Sequence, residues 1–380
     1  MTTYSFRGHH CKDLTFGLSE LGIEVGWISI TGEVEPDWFV ESRAINLSRE
    51  FPKNLSIFRS LLLTLKAMRE YKPDLVQTAL FHAGIIGFVS TRILRIPLIH
   101  GRHHIDEHYQ SGTFVHRLID KLLARRADKV LVCSRAAKDW LVKREKVKEG
   151  SIEVINQGFD FERFNPSNSQ VLSAKLDLEL NETTFNIVCI ARYSPVKGQI
   201  YLLEALEILL KNQHPEYSLH FIGPGDSRWL LKEIEQRKLG NFVKIHSERY
   251  DIPACIRAFD VVVHPSLADS FSQLIIEVQA CGGALIATDI AAAKEQIIDG
   301  LTGLIVEPRS GSSIAEAIIR LQNKPELRKE LMRLAPQHVR DNFDYKRMCR
   351  EQYNLFRELL LCESQINKSW LTKKSDKFTP

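Results

Sequence analysis

Two basic residues in the second half of the chain have the type and spacing of a phosphate-binding pair. Arg192 directly follows the apolar run 186–191, which predicts a buried strand, and Lys197 lies just before Gly198 at the start of a predicted helix. In a parallel sheet the carboxyl end of a strand faces the ligand crevice, and the N terminus of a helix favours anions. Two cations at this place predict contact with phosphate oxygens, although the segment alone would also fit a solvated turn.

A later loop carries the acidic candidates. Asp269 follows the predicted strand Val261–Pro265, and Glu277 lies more than one turn into the predicted helix Ser272–Cys281. Ser or Asp before a helix is typical of an N-cap. We expect the backbone N–H groups of residues 270–273 to face an anion, Glu277 to reach a ribose, and Asp269 to reach another part of the ligand. Each acid taken alone would also fit an ordinary cap or helix residue.

The elements that must position these side chains alternate regularly along the chain. Predicted strands are 23–30, 74–79, 97–102, 129–134, 152–156, 186–191, 218–222, 243–246, 261–265, 285–288 and 303–306; predicted helices are 55–70, 113–127, 198–211, 229–238, 272–281 and 313–321. Such alternation predicts parallel sheets with crossover helices, and the strands are too many for one sheet. We therefore expect an α/β fold with two doubly wound domains. At the start, Met1–Phe6 fits either a short edge strand or the remainder of a longer domain.

A polar break at 165–170 predicts the boundary between the two domains. The expected first domain is 1–165 and the second is 166–344. A helix at 345–362 is expected to pack back on the first domain, and 363–380 is expected to form a polar, basic tail.

Composition limits the function classes. The 380 residues carry a net charge of only +4, which argues against nucleic acid as a partner. Residues 1–165 hold 24 basic and 20 acidic side chains, whereas the rest of the chain holds 27 of each, so the whole excess lies in the first half. That half also holds eight of the 13 His residues, which indicates that the two halves have different tasks.

The cysteines and the apolar runs indicate a cytosolic location. The seven Cys are scattered without a CxxC pair, which disfavours a disulfide framework and a zinc ribbon. The apolar run 83–91 is too short to span a bilayer, and the start lacks the apolar region of a signal peptide. We expect a soluble protein that is at most peripheral at the inner face of the plasma membrane.

Five motifs in order resemble one known family. They are Asn156-Gln-Gly-Phe-Asp160-x3-Phe164-Asn-Pro166, Arg192-x4-Lys197-Gly198, Ile222-Gly223-Pro224-Gly225, Pro265-Ser266-x2-Asp269-x7-Glu277-x4-Gly282 and Gly303-Leu-Ile-Val306. Together they resemble family 4 of the retaining glycosyltransferases. The resemblance covers roughly residues 150–310 and implies the GT-B fold, in which two Rossmann-like domains face each other across a cleft.

The resemblance implies roles for the donor-side residues. Arg192 and Lys197 match the pair that binds the donor diphosphate and stabilises charge on the leaving group. Asp269 matches the acid that touches the sugar hydroxyls, and Glu277 matches the acid that binds the ribose. The further donor-binding candidates are Gly223, Ser270, Phe271 and Ser272.

The first domain supplies three more candidates by the same resemblance. His103 follows the strand Pro97–His100 and matches a His that contacts the sugar and the β-phosphate, with His104 in reserve. Gly8 corresponds loosely to a glycine-rich loop where acceptor or phosphate binds. The run His100–His108 would also allow metal ligands, but no second cluster completes a tetrahedral set, so we expect neither a metal nor a cofactor.

The sequence also departs from the family pattern. The first acid is Asp269 rather than Glu, which is one methylene longer, and two glycines of the motif are Ser270 and Ser272. An expected Gly-Gly pair is Ala292-Ala293. These differences leave the sugar open. They also leave two alternatives to a transferase. One is a degenerate protein that binds a nucleotide sugar or a partner without turnover, and the other, which the sequence favours less, is a nucleotide-sugar epimerase.

The expected partners follow from the same resemblance. The donor would be a nucleotide sugar, with UDP or GDP favoured, and the acceptor would be a carbohydrate or a lipid-linked molecule of cell-envelope polysaccharide, lipopolysaccharide or glycolipid synthesis. Residues 117–148 carry 11 basic and four acidic side chains, and 55–72 combines an apolar stripe with basic residues. Either segment could be a solvated or packed helix face, or could bind weakly to an anionic membrane.

Overall fold

The computed structural model describes residues 9–29, 49–50, 56–79, 81–102, 114–211 and 216–375. The chain divides into two compact units, one formed by residues 1–159 with 345–380 and the other by 160–344. The first boundary between the units follows residue 159, six residues before the boundary that the polar break predicts. Residues 1–6, where an edge strand was one of two alternatives, lie outside the described part.

The first unit is built around a parallel sheet. Its helices are α1 (His9–Glu20), α2 (Ile57–Tyr71), α3 (Phe81–Leu94), α4 (Phe114–Arg126), α5 (Arg135–Trp140) and, from the end of the chain, α14 (Tyr345–Ser375). Its strands are β1 (Ile28–Ser29), β2 (Arg49–Glu50), β3 (Val76–Ala79), β4 (Leu98–Arg102), β5 (Lys129–Val132) and β6 (Ile152–Val154). The last four pair in the order β3-β4-β5-β6, all parallel, and β1 pairs with β2.

The final helix packs into the first unit. Gly17 of α1 lies so close to α14 that a β-carbon there would be 2.4 Å from the sulfur of Cys349. The Tyr345 N–H donates to the Phe159 carbonyl at 3.2 Å, where the chain returns to this unit. The helix extends to Ser375, so it includes residues 363–375 of the expected polar, basic tail. The reason is that neither Gly nor Pro interrupts the sequence between Tyr345 and Pro380.

The second unit contains the larger sheet. Its helices are α6 (Asn168–Asp177), α7 (Gln199–Lys211), α8 (Arg228–Gln236), α9 (Ile252–Ala258), α10 (Gln273–Ala280), α11 (Ala291–Gln296), α12 (Gly311–Asn323) and α13 (Pro325–Phe343). Its strands are β7 (Phe185–Ile190), β8 (Tyr217–Ile222), β9 (Val243–His246), β10 (Val261–His264), β11 (Leu285–Thr288) and β12 (Leu304–Val306). Short 3₁₀ turns lie at Phe161–Phe164 and Pro195–Lys197.

Alternating strand residues bury both faces of this sheet. Ile187 and Val261 point into a cluster completed by α7, α12 and α13, whereas Val188 and Val262 point into a cluster completed by α6, α9 and α10. All six strands are parallel. This is a sheet with helices on both faces, as the continuous apolar strand sequences predict.

The strand order creates one point where ligands bind in such folds. The order across the sheet is β12-β11-β10-β7-β8-β9. From β7 the chain proceeds outward through β8 and β9, and from β10 it proceeds outward in the opposite direction. The carboxyl ends of β7 and β10 therefore flank the topological switch point, where open α/β sheets form their crevice.

Most predicted strands are present within one or two residues of their expected ends. The clear exception is 23–30, of which only Ile28–Ser29 forms a ladder within the described residues. No helix in the described ranges combines the length and the apolar character that a membrane-spanning segment needs.

Candidate functional site

Arg192 lies just beyond the end of β7, with its guanidinium exposed. No acidic side chain pairs with it within residues 160–211 and 216–344 of the second unit. Its backbone is held: Gln199 at the start of α7 donates from Nε2 to the Arg192 carbonyl at 2.9 Å. The Tyr193 N–H donates to the Pro224 carbonyl at 2.9 Å. The structure thus presents a cation at the switch point on a fixed backbone.

Lys197 is brought to the same place by a close contact between two loops. Gly198 has φ +69°, and a β-carbon there would lie 1.9 Å from the carbonyl oxygen of Pro265. The loops after β7 and β10 also share a hydrogen bond, from the Leu267 N–H to the Val196 carbonyl at 2.8 Å. Only glycine permits this approach, because the conformation is left-handed and the space is filled.

The first consequence of this contact is an ion pair. Lys197 Nζ lies 2.9 Å from Oδ2 of Asp269, and both side chains are about one-fifth exposed. The structure therefore brings together the predicted phosphate-binding lysine and the first predicted acid, which are separated by 72 residues in the chain. The carboxylate remains accessible to a ligand.

A histidine that sequence reasoning missed completes this cluster. His264 is the last residue of β10 and is buried. Its Nε2 lies 3.7 Å from Oδ2 of Asp269 and 3.2 Å from the hydroxyl oxygen of Ser272. Burial would raise the pKa of Asp269, but the neighbouring His264 and Lys197 outweigh burial and hold the pKa below its usual range. The signal for His264 was a polar residue at the carboxyl end of an otherwise apolar strand.

The backbone around Ser272 differs from our expectation. The Ser272 N–H donates to Oε1 of Gln296 at 3.0 Å, and Nε2 of Gln296 donates back to the Ser272 carbonyl at 2.9 Å. This N–H is therefore hydrogen-bonded to a side chain, and the expectation that it faces an anion is wrong. Phe271 is buried with its ring 5.9 Å from that of Phe343, and Ser270 is also buried. Nothing in the sequence indicated the role of Gln296.

Glu277 lies in the fifth position of α10. Its side chain is partly exposed, yet burial raises the pKa of its carboxyl to about 7. No hydrogen bond or ion pair reaches this carboxyl from any described residue. A carboxyl with this pKa and no protein partner fits a group that receives its hydrogen bonds from a ligand.

Gly223 has a packing role that the structure makes clear. A β-carbon there would lie 2.1 Å from the Ala191 carbonyl oxygen, so this glycine lets the loops after β7 and β8 approach each other. This contact supports the backbone next to Arg192.

The candidates of the first unit are less defined. Gly8, His103 and His104 lie outside the described residues. Arg102, directly before His103, is buried and binds Glu145 at 2.8 Å and Asp120 at 3.8 Å. The strand end that leads to His103 is therefore fixed by a buried ion-pair cluster. Within the described ranges, no three His, Cys, Asp or Glu side chains form a group that could hold a metal ion.

Two glycosyltransferase profiles match successive parts of this chain. The profile of "Glycosyltransferase Family 4" matches residues 8–163, and that of "Glycosyl transferases group 1" matches residues 173–338. The D-inositol 3-phosphate glycosyltransferase of Corynebacterium glutamicum is 25% identical over 310 residues, 77% of this chain and 74% of that protein. The UDP-Gal:alpha-D-GlcNAc-diphosphoundecaprenol alpha-1,3-galactosyltransferase of Escherichia coli is 26% identical over 280 residues, 71% of this chain and 72% of that protein.

The solved structures give the same result for the fold. Alr3699/HepE of Anabaena, crystallised with UDP-glucose, superposes with a TM-score of 0.79 at 21% identity and covers 92% of this chain and 96% of its own. Both predicted features of the fold, the α/β class and the two parallel sheets, are confirmed. Since one family profile matches each half in the expected order, the chain belongs to family 4 of the glycosyltransferases and has the GT-B fold.

Proposed function

We propose that this protein is a retaining hexosyltransferase that moves a sugar from a nucleotide-diphosphate sugar to an acceptor, without a metal or a cofactor. The observation that carries the proposal is the Lys197–Asp269 ion pair at the switch point, where the exposed Arg192 also follows the carboxyl end of β7. Two cations and a carboxylate at this edge suit a diphosphate joined to a polyhydroxylated ring.

The donor diphosphate would be bound by Arg192 and Lys197. Breaking the bond between a sugar and a diphosphate builds negative charge on the β-phosphate, and cations already in place stabilise that charge. Lys197 would exchange its contact with Asp269 for one with the phosphate, and Asp269 would then accept hydrogen bonds from sugar hydroxyls. His103, or His104 in reserve, would contact the sugar and the β-phosphate.

Glu277 would bind the ribose. Two ribose hydroxyls can donate hydrogen bonds to one carboxylate, which favours its ionised form. Donor binding should therefore lower the pKa of Glu277, which burial raises to about 7.

The reaction balances without another reactant. The bond between the anomeric carbon and the diphosphate oxygen breaks, and the acceptor oxygen bonds to the same face of that carbon. The acceptor hydroxyl loses its proton to the departing phosphate oxygen, so no protein nucleophile is required. The acceptor would bind to the first unit, with Gly8 near it.

The nature of the donor is supported by two proteins that this chain resembles. One is named for a UDP-galactose donor and another was crystallised with UDP-glucose. We propose a UDP-sugar as the first choice and a GDP-sugar as the second, and an acceptor from cell-envelope polysaccharide, lipopolysaccharide or glycolipid synthesis.

Two helices of the first unit suggest contact with a membrane. Phe114, Leu118 and Leu122 on one face of α4 are 75%, 46% and 47% exposed, and Arg125 and Arg126 follow them at the end of the helix. The α2 helix has the same arrangement of exposed apolar residues before basic ones: Phe58 and Leu62 are followed by Lys66 and Arg69. Leu65 and Met68, which belong to the apolar stripe of 55–72, are buried in the core, as the alternative of a packed helix face expects.

Apolar tips beside basic residues fit the interface of an anionic bilayer. We propose weak, peripheral binding at the inner face of the plasma membrane through α2 and α4, which would bring the protein to a lipid-linked acceptor.

The test is release of nucleoside diphosphate. Purified protein is incubated with UDP-glucose, UDP-galactose, UDP-N-acetylglucosamine, GDP-mannose and ADP-glucose, each with and without a lipid extract as acceptor. We expect acceptor-dependent release from one donor, and NMR of the product should show retained anomeric configuration. Binding of a donor without release would instead support a degenerate binding protein, and a changed sugar still attached to its nucleotide would support an epimerase.

A further inference from the structure

Two departures from the family pattern meet at one buried side chain. Asp269 stands where the motif usually has Glu, and Ser272 stands where it usually has Gly. Both contact Nε2 of His264, at 3.7 Å and 3.2 Å. We propose that His264 is a positioning residue of the transfer reaction, which holds the short Asp269 carboxylate toward the donor sugar. The inference rests on the proposed function.

The hydroxyl of Ser272 is a fixed partner for this imidazole. Both backbone groups of Ser272 are hydrogen-bonded to the side chain of Gln296, which is itself buried. Ser272 precedes α10 as an N-cap residue, but its hydroxyl makes no capping hydrogen bond and instead faces His264. With a glycine at this position, Nε2 of the buried imidazole would lose its hydrogen-bond partner, and an unpaired buried polar atom costs free energy. Serine and histidine therefore fit each other.

The nearby carboxylate of Asp269 favours one of the two tautomers of the His264 imidazole. A neutral imidazole that carries its proton on Nε2 can donate toward the carboxylate, whereas the other tautomer would turn a lone pair toward it. The distance of 3.7 Å is longer than a hydrogen bond. Such contacts at reaction sites often shorten when the ligand binds.

Donor binding makes His264 more important. In the structure Asp269 has two titratable neighbours, Lys197 after β7 and His264 at the end of β10. When Lys197 turns to the diphosphate, the imidazole is the neighbour that remains. A shorter acid needs this support because its carboxylate lies closer to its own backbone than that of Glu would.

Four variants test the inference. His264→Ala removes the donor, and His264→Gln keeps an N–H near the position of Nε2. Ser272→Ala removes the fixed hydroxyl. His220→Gln is the matched control, because His220 is also a buried histidine of the same sheet but contacts His246 instead of the cluster. For each we measure kcat and KM for the donor between pH 5 and 9, and the melting temperature.

We expect His264→Ala to lower kcat about 10–100-fold, the range for a hydrogen bond to a charged group. The acidic limb of its pH profile should move to higher pH, because the pKa of Asp269 rises when the imidazole is lost and transfer requires the ionised carboxylate. His264→Gln should restore most of kcat. Ser272→Ala should lower kcat about 2–10-fold with the same shift, and adding it to His264→Ala should cost little more.

The outcomes separate this inference from the proposed function. If the wild type releases no nucleoside diphosphate from any donor, the proposed function fails. If the wild type is active, an unchanged kcat and acidic limb in His264→Ala overturn only the role of His264. If that variant does not fold, Ser272→Ala decides, since an acidic limb like that of the wild type would contradict the network. The same shift in His220→Gln would also contradict it.

Discussion

Lys197 is paired with the carboxylate of Asp269, and this pair would set how the lysine takes part in the proposed reaction. The ion pair between its Nζ and Oδ2 of Asp269, which lie 2.9 Å apart, holds both side chains at the switch point. In the proposed reaction the donor diphosphate would compete for the ammonium with two negative phosphates, so the exchange of partners would be electrostatically favourable. The ion pair would therefore hold the lysine in place for this exchange.

The first prediction concerns this lysine. Lys197→Ala should lower turnover by about 10²–10³-fold, as does removal of one donor to a transition-state charge. Steady-state kinetics with the active donor measures the effect. Lys329→Ala is the control, because Lys329 is exposed and pairs with Glu326 on its own helix. Near-normal turnover in Lys197→Ala would exclude this residue from the mechanism.

The second prediction concerns Glu277 and pH. The pKa of its carboxyl is about 7 in the folded state against an ordinary value of 4.5, because burial disfavours the charge. The folded state then binds more protons than the unfolded state between these two values, so this group makes the protein less stable as pH rises from 4.5 to 7. The full effect is up to about 3 kcal/mol above that window.

Glu277→Gln should remove this effect. Relative to the wild type, the variant should gain melting temperature at pH 8 and gain little at pH 4.5, and its KM for the donor should rise. Glu326→Gln, at an exposed position of α13, is the control and should behave like the wild type at both pH values. An equal shift of Glu277→Gln at both pH values would contradict the assignment.

At the scale of elements, one glycine joins the two loops of the site. Gly198→Ala would place a β-carbon 1.9 Å from the Pro265 carbonyl in a left-handed conformation. The loops after β7 and β10 would have to separate, so we predict a lower melting temperature and at least tenfold weaker donor binding, by calorimetry. Gly240→Ala is the matched control, since a β-carbon there would meet nothing within 4 Å. Equal binding by the two variants would contradict this account.

Most helices and strands could be predicted from the sequence, because their apolar residues form clear periodic patterns or continuous runs. The runs Val261–Val263 and Leu285–Ala287 are fully buried strands and were predicted almost to the residue. The same logic brought Arg192, Lys197 and Asp269 to one edge, since the carboxyl ends of parallel strands share an edge. This part of the site follows from topology alone.

The remainder of the site depends on contacts that no local pattern encodes. His264 has the appearance of a strand end, and its role arises because Asp269 and Ser272 fold back onto it. Gln296 comes from α11, 24 residues after the Ser272 backbone that it binds. The sequence pattern predicts that α14 ends at residue 362, whereas the helix extends to Ser375. The segment 363–375 is polar, but it contains no residue that terminates a helix.

At the scale of the whole molecule, charge and chemistry are divided between the two halves. The excess of basic residues lies in 1–165, whereas the donor cluster lies in the charge-balanced remainder. This division agrees with a proposed acceptor side in the first unit and a proposed donor side in the second.

The membrane proposal gives a prediction at this scale. The protein should sediment with vesicles of phosphatidylglycerol and much less with vesicles of phosphatidylcholine, and the difference should fade in high salt. Replacing Phe114 and Leu118 by Ser should reduce sedimentation, because both side chains are exposed on α4. Leu172→Ser and Leu176→Ser, exposed on α6 of the second unit, form the control pair. Equal recovery with both lipids would contradict peripheral binding.

The central claim is that the second unit binds a nucleotide sugar at the switch point, and a thermal-shift screen tests it most directly. UDP-, GDP- and ADP-sugars are compared on the wild type and on Arg192→Ala. A donor at one hundred times its Kd adds about 2.7 kcal/mol of stability, or about 5–11 °C in a unit of this size. We predict such a shift with one class of donor and its loss in the variant. No shift with any donor, or an equal shift in both proteins, would contradict the claim.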